Sequence, residues 1–158
     1  MADRPEPLTW LALQDVRALV ESIRVDAGFH TDIGGGLILT DRSRLKLQGD
    51  APVTLIVAGD LVDDPSASGN RTTALDMDVS VEVAVPFGLD NAELIAHRAR
   101  ADLVQVFKTS LRDRTEGFRK FVVTGSSFSS DADEQGITFT LVQVTARAGL
   151  TETVSPAA

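Results

Sequence analysis

The chain has 158 residues, 43 % of them hydrophobic, and its 23 acidic against 15 basic side chains leave a formal net charge of −8. That composition supplies one core for one domain and excludes a wholly disordered chain. The acidic balance argues against holding nucleic acid through counterion release and against docking on anionic membrane. The absence of cysteine excludes disulfides, thiolate metal sites and cysteine nucleophiles. Aromatic residues make up only 5 %, with one Trp and no Tyr, which removes the usual platforms for stacked bases.

The start of the chain, with Arg4, Pro5 and Pro7, lacks the basic-then-apolar layout of a signal peptide, and no apolar run approaches a membrane span. Synthesis in the cytoplasm is the expectation. Leu13, Val16, Leu19, Val20 and Ile23 recur at three- and four-residue spacing, with Gln14, Asp15, Arg17 and Glu21 between them. This stripe predicts a helix over 10–24, capped by Thr9 and stopped by Gly28. The apolar run Leu37, Ile38 and Leu39 predicts a strand near 36–40. The β-branched run 53–58 predicts a second, buried one. Residues 59–74 are nearly all turn formers or solvated charges and read as a long mobile loop.

Leu75, Met77, Val79, Val81, Val83 and Val85 alternate with Asp76, Asp78, Ser80, Glu82 and Ala84. Strict period-two alternation predicts a long strand with one buried face and one wet face, and the wet face carries three acids. Asp90-Asn91-Ala92-Glu93 reads as a capping box opening a helix over 91–111. Ile95, Ala96, Ala99, Leu103, Val106, Phe107 and Ser110 form its apolar face, and His97, Arg98, Asp102, Gln105 and Lys108 its polar one. A hairpin closes the chain. Phe121, Val122 and Val123 begin one strand, Ser126 to Ser130 continue it, and a polar turn over 131–136 leads to the alternating Ile137, Phe139 and Leu141. The apolar phase then slips to Val142 and Val144, which calls for a β-bulge or a strand buried on both faces near Leu141. Residues 1–8 and 149–158 read as flexible tails around a single domain.

No catalytic constellation emerges from these residues. Gly34-Gly35-Gly36 is followed by Leu37-Ile38 and lacks the Lys-Ser/Thr of a phosphate loop. His30 and His97 have no partner at metal-ligand spacing, and the acids Asp60, Asp63, Asp64, Asp76 and Asp78 do not follow the spacing of a calcium loop. A solvated acidic patch is the simpler reading of those acids. Gly125-Ser126-Ser127 lacks the nucleophile-elbow pattern. No catalytic, cofactor-binding or metal-ligating residue is assigned, and no enzyme activity is expected.

The order of elements is helix, short strands, long loop, long alternating strand, long helix and closing hairpin, and it carries one resemblance. The Gly59-Asp60 edge, the strand from Leu75 to Val85, the helix with Ala96, Arg98, Leu103 and Phe107, and the hairpin strand from Ile137 to Arg147 resemble the tail terminator proteins of long-tailed bacteriophages. The similarity spans residues 10–147. It implies a virion structural protein, assembled in the host cytoplasm, that forms a hexameric ring capping the tail tube. Such a ring meets the tail tube protein on one side and a head-side neck protein on the other, and DNA passes through without specific binding. Asp60, Asp63, Asp64, Arg71, Asp76, Asp78 and Glu82 are then candidates for the subunit interface or the lumen. The expected fold is α+β, a four- or five-stranded antiparallel or mixed sheet with two helices on one face. Neck and tail-completion proteins share a similar layout. Two readings from other classes stand beside it: a small acidic cation- or ligand-binding module, and an enzyme subunit completed by a partner.

Overall fold

A computed structural model describes residues 6–40, 51–109, 114–133 and 135–154. Helix α1 (Leu8–Glu21) starts two residues earlier than Thr9 would allow as a cap. Pro7 holds the cap position at φ −56°, and its carbonyl accepts the first helical bond from Leu11 N at 3.0 Å. The apolar stripe buries Ala12, Leu13, Val16 and Val20. The helix stops at Ser22, whose hydroxyl turns back to donate to the Leu19 carbonyl. Gly28, at φ 94°, instead closes a separate 3-10 turn, Val25–Ala27. A second such turn, Ile33–Gly35, leads into β1 (Leu37–Leu39).

Strand β2 (Val53–Asp63) is longer than its apolar run suggested. After a bulge between Ala58 and Leu61, Leu61, Val62 and Asp63 pair with Met77, Asp76 and Leu75. Half of the segment expected as a loop is therefore strand: backbone pairing along β3 outweighs the turn propensity of Gly59 and Asp60. What remains is residues 64–71, with a short turn at Pro65–Ala67. Strand β3 (Thr72–Pro86) follows. Helix α2 (Ala92–Thr109), strand β4 (Phe118–Ala132) and strand β5 (Thr138–Thr153) complete the chain.

The five strands form one mixed sheet in the order β1-β2-β3-β5-β4, with only β1 and β2 parallel, and two helices pack against it. Leu75, Met77, Val79, Val81, Val83 and Val85 of β3 and Val142, Val144, Ala146, Ala148 and Leu150 of β5 meet the buried faces of both helices in one core. Phe107 of α2 packs edge-on against Phe121 of β4 at 5.0 Å between ring centroids. The alternation read from β3 sets this core.

Several local expectations give way to tertiary contacts. No bulge occurs at Leu141: the β3–β5 register runs unbroken from Thr72↔Thr153 to Pro86↔Phe139. The other expectation for this stretch holds: Phe139 joins Val53 and Ala84, with Leu39 and Leu141, in a second small cluster on the other face, so this part of β5 is buried on both faces. Residues 149–153 pair with 72–76 rather than fraying, and the last four residues of the expected tail lie outside the described residues. The Asp90 capping box does not form. Asn91, at φ 60°, gives its carbonyl to Ile95 N at 2.9 Å, while the Glu93 carboxylate lies 3.4 Å from His97 Nε2. The expected last two residues of that helix, 110 and 111, also lie outside the described residues.

Candidate functional site

Pleating sends alternate residues of each strand to opposite faces, so the rows not buried under the helices form the second face of the sheet. No helix among the described residues lies on it. On β3 this face carries Asp76, Asp78, Ser80 and Glu82, all half-buried among their neighbours. Cross-strand partners on β5 match them. Arg147 Nε donates to Asp78 Oδ1 at 3.2 Å, and Gln143 Nε2 donates to Ser80 Oγ at 2.8 Å and to Glu82 Oε1 at 3.2 Å. Ser127 of β4 reaches Gln143 Oε1 at 3.5 Å, and the Thr124 hydroxyl donates to that of Thr145 at 3.1 Å. Asp76 shares its rung with Val62 and Gly149. The face is a polar lattice rather than a row of free carboxylates.

The other candidates sit at one end of the sheet. Asp60 occupies the bulge of β2 and Asp63 ends that strand, both exposed. Asp64 caps the following turn: its Oδ1 accepts from Ser66 Oγ at 2.6 Å and from Ser66 N at 3.1 Å. The Ser66 hydroxyl, helped by the backbone amides of Ser66 and Ala67, holds the Asp64 carboxyl below its ordinary value of 3.8. The Arg71 carbonyl accepts from Val154 N at 2.7 Å, and the residue is exposed. The seven candidates thus divide into a face group (Asp76, Asp78, Glu82) and an end group (Asp60, Asp63, Asp64, Arg71). Among the described residues, no three His, Asp or Glu side chains gather in a way that would hold a metal ion.

One buried acid escaped the sequence reading. Asp102 belongs to the interior of α2, with no exposure, and not to its polar side. Its Oδ1 accepts from His30 N at 2.9 Å, and its Oδ2 accepts from Thr31 N at 2.8 Å and Thr31 Oγ1 at 2.6 Å. The signal was present, because 95, 99, 102 and 106 lie on one helical stripe and Asp102 interrupts it. This carboxylate pins the 30–31 segment beside an open cavity of about 420 Å3 lined by Val25, His30, Ile33, Pro52, Ile95 and Arg98. Asp32, also on its rim, is engaged by Val25 N at 2.8 Å. The triple glycine makes a close approach of backbones: Gly34 N donates to the Ile23 carbonyl at 2.9 Å. His97 stacks on Phe128 at 4.4 Å.

No helix of the structure is long and apolar enough to cross a membrane, among the described residues. The chain matches no protein-family model and no curated protein.

Proposed function

We propose that this chain is a structural protein of phage morphogenesis, a tail terminator whose copies form a ring over the end of the tail tube. The observation that carries this reading is the polar stretch of the sheet's second face, on which no helix lies among the described residues. It runs from Asp76 to Glu82 on β3 and from Gln143 to Arg147 on β5, and two of its carboxylates, Asp78 and Glu82, are tied to Arg147 and Gln143. A wall of this kind suits the inside of a conduit for DNA. It offers no basic excess for phosphates to grip, and its side chains are held by their cross-strand partners. The order of helices and strands that carried the resemblance recurs in the folded chain, apart from the long loop, half of which is strand. The reading calls for no cofactor and no catalytic residue, and names the chain itself, the tube protein and a head-side neck protein as partners.

The test is assembly. Light scattering on the purified chain, alone and with tail tube protein, is expected to give a mass near six chains, and electron microscopy a ring at the end of tubes of uniform length. A protein that remains monomeric at high concentration, and leaves tube length unchanged, would refute the reading.

A further inference from the structure

The sheet has two edges that no strand covers among the described residues. At one, β1 pairs only with Val53, Thr54 and Leu55, which leaves the exposed residues 58–63 of β2 unpartnered on that side. At the other, β4 pairs with β5 alone, and Arg119, Lys120, Val122 and all of 124–132 are exposed. Free edges are templates for further pairing, and natural proteins guard them with charge, proline or bulges. Between Gly125 and Ser130, β4 carries neither charge nor proline, and its two register shifts lie before Ser126.

The two edges match each other. Val62 pairs with Asp76, Asp76 with Gly149, and Gly149 with Lys120, so Val62 and Lys120 occupy one rung at opposite edges. By the same register Asp63 shares a rung with Phe118, and Leu61 with Phe121. The basic pair Arg119 and Lys120 therefore stands between the rung of Asp63 and the bulge that holds Asp60, with Arg119 Nη2 also donating to the Leu150 carbonyl of its own β5 at 3.3 Å. Val122, Leu61 and Val62, exposed by 52 %, 55 % and 61 %, place apolar surface on both sides. Three successive antiparallel pairings separate β2 from β4, so the two strands run in opposite directions. A β4 laid beside the β2 of a second copy, continuing the same sheet, makes an antiparallel pair.

We propose that copies of this chain join head to tail through these edges, the 118–125 segment of β4 pairing with the 57–63 segment of β2 in the next copy. The occupant of each edge is the other edge of the same protein, because strand direction agrees, acids stand on one edge near the bases of the other, and both edges carry exposed apolar residues. An interface made of two different patches closes into a ring when the rotation per copy divides a full turn. The inference rests on the ring reading above and names its interface.

The chain has no cysteine, so introduced thiols report unambiguously. In the paired edges Val62 and Val122 are diagonal neighbours, about 7–8 Å apart and within reach of a short bismaleimide. Val62→Cys and Val122→Cys proteins, each alone, are expected to give no crosslink, their mixture a covalent dimer, and the double variant a ladder. Reversing Arg119 and Lys120 to Glu is expected to weaken self-association about tenfold or more, and changing Asp60 and Asp63 to Lys in the same chain to restore it. An assembly of ring mass that gives no crosslink in the mixture overturns the edge pairing and leaves the ring standing. So does crosslinking of either single variant with itself, or a β4 thiol that links only to tube protein. A chain that stays monomeric under every condition overturns the ring reading and the edge pairing together.

Discussion

Asp102 is the side chain whose removal should cost the most for its size. Replacing it with Ala leaves His30 N, Thr31 N and the Thr31 hydroxyl without their acceptor, two of them backbone donors in a part-buried segment. Asp102→Ala is expected to destabilise the fold by about 3 kcal/mol, read as a lower urea midpoint with unchanged slope. Asp64 makes the opposite case, an exposed acid whose local turn decides its titration. The Ser66 hydroxyl favours the charged form, so the folded pKa lies below 3.8 and the associated stability is present above that value and lost as pH falls through the folded pKa. Carboxyl chemical shifts followed against pH should place the Asp64 midpoint below 3.8, and Ser66→Ala should raise it. Gly34 has no room for a side chain: an added Cβ would lie 2.5 Å from the carbonyl oxygens of both Val20 and Glu21. Gly34→Ala should therefore force α1 away from the Ile33–Gly35 turn and cost about 1–3 kcal/mol or more by thermal melting.

At the scale of elements, β3 carries both the core and the open face, so neighbouring substitutions on it should differ sharply. Val81 is 1 % exposed inside the core, and Val81→Asp buries an unpaired charge. Its expected cost is several kcal/mol, on the order of 4 or more. Glu82→Gln keeps an acceptor for the Gln143 amide and should shift stability by about 0.5 kcal/mol or less. Melting of the two variants side by side checks the register, since a slip of one residue would exchange their effects. The strict alternation from Leu75 to Val85 made this strand legible before any coordinates. The extension of β2 past Ala58 was not legible, because Gly59, Asp60 and Asp63 form turns by themselves and become strand only against β3.

For the whole molecule, the middle of the sheet should be its most stable part. Strands β3 and β5 are paired on both sides and buried under two helices, whereas β4 has one partner and is exposed from Thr124 to Ala132. Hydrogen exchange is expected to leave the β3 and β5 amides protected longest and to release the 126–132 amides first. Equal protection of β4 and β3 in the monomer would contradict the edge position of β4. The arm formed by the ends of β4 and β5 is tied to α2 only through contacts such as Arg100 Nε to Ser126 Oγ at 2.9 Å and the stacking of His97 on Phe128. These contacts come from the N-terminal half of the helix and leave the outer edge of β4 open among the described residues.

The sequence alone determined the α+β class, both helices, the long alternating strand with its core face, and the closing hairpin. Each is written in a period of apolar residues, and burying that row is the largest favourable term in folding. It did not determine where the periods stop mattering. Pro7 instead of Thr9 at the start of α1, Asn91 instead of Asp90 before α2, and the continuation of β5 to Thr153 are decided by backbone partners that local propensity does not see. The divided fate of the candidate acids was likewise settled by the fold. Asp78 and Glu82 meet partners 61 or more residues away in sequence, while Asp60 and Asp63 stay solvated at the edge. Which carboxylate is paired, capped or free depends on what the sheet brings opposite it, and strand order with register is a property of the folded chain alone.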